Sequence, residues 1–356
     1  MGSAAAVDVM IVSLGSTAGL RAADEQLAAS MRRAGASVAL ARALPPAHTR
    51  TMMLTDLGWA RAARAAARKT LAELSGSPPR ALIYSTSTAA LLWPAPGAIR
   101  FDALSAANRP GRHGLWQRPL ERRRLAAAPL LLPWSDGALR EASGATVSSG
   151  NDGGAAGGGR ALVLPVPVEP SGEATPDHQR DIAAITYAAN PRKKGLDRVL
   201  AAWRAVHAGS DGGGGELVLA GASAAEIARA GIKIADEPGV RVVGALAAGE
   251  YRALLRRARL FVCAPRREDY GIAQLEALAD GCRLITTPAP GPYAALPIAR
   301  ALDPRLVGED LVGALRVALG EHDTSYSERA RAALAPFSEA AVDALVAGEL
   351  LTRLLA

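Results

Sequence analysis

Cysteine is nearly absent: Cys263 and Cys282 are the only two in 356 residues, too few for a disulfide framework or a zinc cluster. Aromatic residues make up 4% and are not interleaved with the basic patches "RPLERRRLA" and "YRALLRRARL", so nucleic acid is not an expected partner. No run approaches the roughly 18 apolar residues of a membrane span; "LAAAPLLLPW" is broken by Pro129 and Pro133. The start "MGSAAAVDVMIVSLG" has no basic segment of the secretory kind, and Ala6 stands where a myristoylation motif needs Ser or Thr. A cytoplasmic chain is the expectation.

Three motifs are missing as well. "LGSTAGLR" carries Gly15 and Gly19 at the wrong spacing for the G-x-G-x-x-G of a dehydrogenase, and no G-x-x-x-x-G-K-[ST] phosphate loop occurs. No Asp-x-Asp pair offers a metal to a diphosphate, and the five histidines lack metal-ligand spacing, so no metal is expected. The net charge of +7 fits arginine used as a soluble helix surface. It leaves room for weak peripheral attachment at the inner face of an acidic membrane.

What remains is an alternation of apolar runs and helical patterns. "VDVMIVSLG", "RALIYSTST", "GAIRFDA" and "PLLLPWS" read as buried strands separated by helices such as "RAARAAARKTLAEL". The pattern starts again with "DIAAITYAANP", "GELVLAG", "VRVVGAL", "LFVCAP" and "CRLITTP". Strands alternating with helices imply parallel sheets covered on both faces. The length fits two domains of about 150 residues. The expectation is α/β, two doubly wound Rossmann-like domains facing a cleft. They comprise an N-terminal domain over 1–165, with a flexible Gly-rich segment at 143–160, and a C-terminal domain over 166–337. A terminal helix over 338–356, capped by Ser338, packs back toward the first domain.

Ligands of such sheets bind at the carboxyl ends of strands, which selects Gly15, Asp102, the stretch from Asn190 to Lys194, and "RREDYGIA". In "EDYGIAQLEALADGC" Gly271 sits at a helix start. The amides of Gly271, Ile272 and Ala273 are free to hold an anion, between Glu268 outside the helix and Glu276 inside it. Carboxylates beside a phosphate repel it, so their useful targets are hydroxyls; a nucleotide diphosphate sugar supplies hydroxyls on both sides of its phosphates. Arg192, Lys193 and Lys194 add positive charge at a neighbouring strand end. An ordinary packed helix with acids near its N-terminus accounts for much of the same spacing.

Taken together, "PRKKGLDRVLAAW", "LVLAG", "VRVVGAL", "RREDYGIAQLEALADGCRLITTPAPG" and "SYSERARAALAPFSEAA" resemble the C-terminal half of the retaining GT-B glycosyltransferases of family 4 (glycosyl transferases group 1). The resemblance implies a transferase moving a hexosyl group from a UDP- or GDP-linked sugar, with retention and without a metal or other cofactor. Its acceptor, taken by the N-terminal domain over 1–165 while the C-terminal domain over 166–337 takes the nucleotide sugar, would be a sugar or a lipid-linked molecule. It implies that Glu268 contacts the donor sugar, Glu276 the ribose, the amides after Tyr270 and Gly271 the diphosphate, and Lys194 the leaving group, with Asn190 and Arg192 beside it. Asp102 stands where the family often has a histidine, either to orient donor sugar or acceptor or only to cap the following loop, and Gly15 and Ser16 match the loop near the diphosphate. Where the family has an arginine after the first strand this chain has "YAANP", which leaves two alternatives: Arg192 substitutes for it, or the pair with Lys194 is incomplete. Two other readings stay open: an epimerase or hydrolase of the same fold, and a non-catalytic sugar-nucleotide binder.

Overall fold

A computed structural model describes residues 6–47, 49–74, 76–109, 111–147, 160–173, 175–207, 215–234 and 239–356. The chain divides into two compact units, Met1–Pro167 with Phe337–Ala356, and Val168–Pro336.

In the first unit β1 (Val9–Ser13), α1 (Ala18–Arg33), β2 (Val38–Arg42), α2 (Met52–Glu73), β3 (Ala81–Tyr84) and α3 (Ser87–Ala90) are followed by β4 (Ala98–Phe101), α4 (Ser105–Asn108), α5 (Gln117–Ala127), β5 (Leu131–Pro133) and α6 (Asp136–Val147). The strands form one parallel sheet of order β2-β1-β3-β4-β5. Successive side chains of β1 point to opposite faces, which is why an unbroken apolar run is needed there. Met10 and Val12 join Ala63 and Ala67 of α2 in one core, while Val9 and Ile11 join Leu27 and Met31 of α1 in the other. The second core also takes Val342, Val346 and Leu350 from the end of the chain.

The second unit repeats the plan: β6 (Ile182–Tyr187), α7 (Leu196–His207), β7 (Leu217–Ala220), α8 (Ala224–Arg229), β8 (Val240–Gly244), α9 (Ala248–Arg257), β9 (Ala258–Cys263), α10 (Ile272–Ala279), β10 (Arg283–Thr286), α11 (Ala295–Leu302), α12 (Leu311–Gly320) and α13 (Tyr326–Ala333). Its parallel sheet runs β10-β9-β6-β7-β8. Back in the first unit come α14 (Glu339–Leu345), a π-helical turn at Val346–Leu350, and α15 (Leu351–Leu355). Ser338 caps α14 by accepting from the Ala341 amide, and Asp343 accepts from Ser30 and Arg33 of α1.

The sequence expectation of a flexible segment at 143–160 is corrected at its start. Residues 143–147 complete α6, because Ala and Val continue the pattern begun at Asp136 and the Ser143 hydroxyl bonds back to the Leu139 carbonyl at 3.1 Å. The remainder, 148–159, lies outside the described residues. Among the described residues no helix is long and apolar enough to cross a membrane.

Candidate functional site

The site in the second unit forms where the order of the sheet reverses. Strand β6 opens the unit and pairs with β7 on one side and β9 on the other, so the helices that follow β6 and β9 lead away in opposite directions and leave a crevice. The two loops after these strands are stitched together: the Arg266 amide donates to the Lys193 carbonyl at 2.9 Å. Gly195, at φ +65°, lies so close that a Cβ there would be 1.8 Å from the Ala264 carbonyl oxygen. A third loop, after β10, reaches the same place. The Glu268 amide donates to the Pro290 carbonyl at 3.1 Å, and a Cβ on Gly291 would stand 2.2 Å from the Glu268 carbonyl oxygen.

These contacts hold Glu268, 4% exposed, beside Lys194. The Lys194 ammonium donates to Glu268 Oε2 at 2.6 Å, and Gln274 Nε2 donates to the same oxygen at 3.0 Å. Gly271 ends the loop in the left-handed region, at φ +92°, and opens α10. The first amides of α10 have no acceptor within the helix, so they form an anion-seeking start one residue past the buried ring of Tyr270. Ala273 is buried and Ile272 half-buried.

Glu276 sits in the next turn, about a quarter exposed, 3.7 Å from Arg252. Burial raises its pKa above the ordinary 4.5, with Arg252 opposing and Asp280 reinforcing the rise. Arg252 is held more closely by Asp280, at 2.5 Å, which itself accepts from the Ser171 amide and hydroxyl. Two tyrosine rings lie within the field of Glu276: Tyr187 at the end of β6 and Tyr251 of α9, their centroids 5.2 Å apart. Gly221 leaves room for that pair, since a Cβ there would be 2.7 Å from the Tyr187 ring.

The raised pKa of Glu276 has two consequences of opposite sign. Burial favours the protonated acid, so its contribution to stability is fully present below 4.5 and is lost as pH rises through the raised folded value. On the role that the family resemblance implies for Glu276, a ribose hydroxyl donates better to the carboxylate, so nucleotide affinity should fall several-fold as pH drops from 7 through that folded value. Titration calorimetry at several pH values checks this; in Glu276→Gln the additional fall on the acid side should vanish.

Other expected residues are placed differently. Arg192 turns away from Glu268: its Nε donates to the Ala230 carbonyl at 2.6 Å, because the end of α8 offers a carbonyl within reach of an exposed guanidinium. Asn190 is exposed and acts on the backbone, its Oδ1 accepting from the Lys193 amide at 3.2 Å. Arg266 pairs with Asp197 in a two-pronged bridge at 2.7 and 2.8 Å, and Lys193 with Asp269 at 2.6 Å. Tyr293 is 2% exposed, and its hydroxyl lies 2.6 Å from Thr286, so it belongs to the core. Gly15, Ser16 and Asp102 all lie in the first unit, at the carboxyl ends of β1 and β4. Gly15, at φ +57°, presents its carbonyl to Arg21 at 2.7 Å, and Asp102 accepts from the Ala103 amide at 2.9 Å. Among the described residues no group of His, Cys, Asp or Glu could hold a metal ion.

Gln274 was not anticipated. It is 1% exposed, and its Oε1 finds no hydrogen-bond partner among the described residues. The signal for it was a single amide in the otherwise apolar run "IAQLEALA". A buried polar group needs a partner, and Gln274 uses its amide nitrogen to hold Glu268.

Residues 180–308 match the family described as glycosyl transferases group 1. Comparison with curated protein sequences gives no match. Among solved structures, the chain aligns over 96% of its length with all of WaaG, a glycosyltransferase involved in lipopolysaccharide biosynthesis (TM-score 0.65, 15% identity). It aligns over 98% of its length with 99% of a sucrose-phosphate synthase from Thermosynechococcus elongatus (0.64, 15%). A trehalose-6-phosphate protein from E. coli bound with UDP-2-fluoro glucose is covered to 98% by 96% of the chain (0.63, 11%).

Proposed function

We propose that the chain is a glycosyltransferase, on the match of residues 180–308 to glycosyl transferases group 1 and on its fold, and that it moves a hexosyl group from a UDP- or GDP-linked sugar to a sugar or lipid-linked acceptor. Transfer proceeds with retention and without a metal. The observation that carries this reading is the pairing of Lys194 with buried Glu268 at 2.6 Å, beside the helix start at Gly271 and one turn from Glu276.

In this reading the diphosphate lies on the first amides of α10, and Glu276 accepts from the ribose hydroxyls. Glu268, steadied by Gln274, accepts from a hydroxyl of the donor sugar. The bond between the anomeric carbon and the β-phosphate oxygen breaks, and the acceptor oxygen forms its bond to that carbon on the same face. The acceptor proton passes to the departing phosphate oxygen. Negative charge develops on that oxygen, and Lys194 with the preorganised amides lowers its energy. The reaction is placed in the cytoplasm, with exposed Arg122 and Arg123 of α5 available to an acidic membrane surface.

One observation favours a second reading, binding without transfer: Arg192 is spent on the Ala230 carbonyl, leaving the leaving-group charge to fewer cations. A thermal-shift screen with UDP, GDP, ADP and their hexose conjugates tests the donor site. Stabilisation by one base family is expected, and should fall in Glu276→Ala. No shift with any of them, in folded protein, would overturn the proposal; a shift without any nucleotide release on adding acceptors would favour the binder.

A further inference from the structure

Charge is divided unevenly between the two units. Met1–Pro167 with Phe337–Ala356 carries 20 of the 41 Lys and Arg but 13 of the 34 Asp and Glu, and so the whole net charge of +7, while the second unit is balanced. In the second unit guanidiniums sit on carboxylates, as in Arg241–Glu216, Arg257–Asp181 and Arg266–Asp197. On one face of the first unit they gather without any.

Arg64 of α2 and Arg124 of α5, both half-buried, converge on the turn after α3. Arg64 Nη1 donates to the Leu92 carbonyl at 3.1 Å and Arg124 Nε to the Leu91 carbonyl at 3.0 Å. The Arg124 guanidinium also lies over the Trp93 ring, 4.8 Å from its centroid. Carbonyls at the end of a helical turn draw cations, which accounts for one N–H of each guanidinium; a guanidinium has five. Among the described residues no carboxylate pairs with Arg64, Arg123 or Arg124. Burial and then the neighbouring charge of Arg123 push the Arg124 pKa down, and Arg64 adds to the fall against an opposing effect of Tyr84. Arg61 and Arg68, exposed, lie on the same face of α2 as Arg64. None of these arginines lines the cavity that Trp59, Asp56 and Arg109 share with the strand ends of this unit.

We propose that Arg64, Arg123 and Arg124 form a binding site for a phosphate group, carried by a soluble phosphorylated molecule or by a lipid headgroup. The site lies outside the donor crevice of the second unit and does not depend on the transferase reading. Three cations with no counter-charge call for more than one negative charge. A phosphomonoester brings nearly two, with three strong acceptor oxygens, one for each guanidinium. A carboxylate brings one charge and is filled by a single arginine binding it at both oxygens. Two of the three guanidiniums are held by carbonyls before a ligand arrives, which reduces the ordering that binding requires. A diffuse basic surface has no such anchoring.

The test titrates the full-length protein with inorganic phosphate and phenyl phosphate, followed by phosphorus NMR line width. It also sediments the protein with phosphatidylcholine vesicles containing phosphatidic acid or, at the same mole fraction, phosphatidylglycerol. Saturable binding is expected to a soluble phosphate, or to phosphatidic acid in preference to phosphatidylglycerol. It should weaken about tenfold or more in Arg124→Gln and about threefold or more in Arg123→Gln, the loss of one charge-assisted hydrogen-bond partner. Arg123 is exposed, so its replacement leaves the fold intact even if that of Arg124 does not. Arg140→Gln removes the same charge from an exposed position of α6 and should change affinity less than about twofold. Binding of the soluble phosphates alone assigns a soluble ligand, and binding of phosphatidic acid vesicles alone assigns a lipid headgroup. No binding of either would overturn the inference. So would binding that survives both Arg123→Gln and Arg124→Gln, which would belong to the start of α10, or an equal loss in Arg140→Gln. Equal sedimentation with both acidic lipids, without binding of a soluble phosphate, would reduce the face to a diffuse basic surface and overturn it too.

Discussion

Lys194→Ala is expected to lower kcat by about 10²–10³-fold, the usual consequence of deleting one preorganised group that meets developing negative charge. Lys194 is 19% exposed at its side chain, and its ammonium is 2.6 Å from Glu268. Two things are lost together. In the proposed mechanism the leaving phosphate loses the Lys194 charge, and Glu268, 4% exposed, is left with the Gln274 amide on the same oxygen. The first loss is confined to the transition state, so kcat and kcat/KM should fall alike. The second acts on the folded state, where removing one partner of a buried ion pair costs about 3–5 kcal/mol. Release of nucleotide from the donor under saturating conditions measures the first, and urea denaturation the second. An undiminished kcat would remove Lys194 from the reaction. Lys194→Arg should recover stability more than rate, since a planar guanidinium keeps the charge but not the point geometry of the ammonium.

Gly195→Ala is expected to destabilise the protein by about 3 kcal/mol or more, through strain of the left-handed backbone and overpacking acting at one atom. A Cβ at Gly195 would lie 1.8 Å from the Ala264 carbonyl oxygen, at φ +65°. Neither side yields cheaply, because the Lys193 carbonyl and Arg266 amide already join the two loops. The displaced residue beside it is Lys194, so activity should fall with stability. Gly249→Ala supplies the control: it lies in α9, where a Cβ would meet nothing within 4 Å. There the better helix propensity of alanine should leave stability unchanged or slightly raised, by up to about 1 kcal/mol. Equal midpoints for Gly195→Ala and the wild type in urea would refute the close approach.

Much of this site could be read in advance because it is local. Glu268, Gly271 and Glu276 fall within nine residues, and a Gly at a helix start next to a strand end has one conformational use. Residues acting across larger separations could not be read. The Asp56–Arg109 clamp spans 53 positions, and the Tyr187–Tyr251 pair joins β6 to α9. Arg192 follows β6 in sequence, but the direction of its side chain is not written in the local pattern: its Nε donates to the Ala230 carbonyl after α8.

By itself, then, the amino-acid sequence determined the alternation of strands and helices, the two doubly wound units and the helix start flanked by two acids, because periodicity and backbone punctuation are short-range. Only the tertiary structure decided which loops meet. Strand order brought the turns after β6, β9 and β10 onto Glu268, chose Lys194 over Arg192 as its cation, and gave Gln274 a buried task. It also gathered Trp59, Asp56 and Arg109 around one cavity. The reason is physical: hydrogen bonds and ion pairs are formed by distance in space, and distance in space is set by the order in which strands join the sheet.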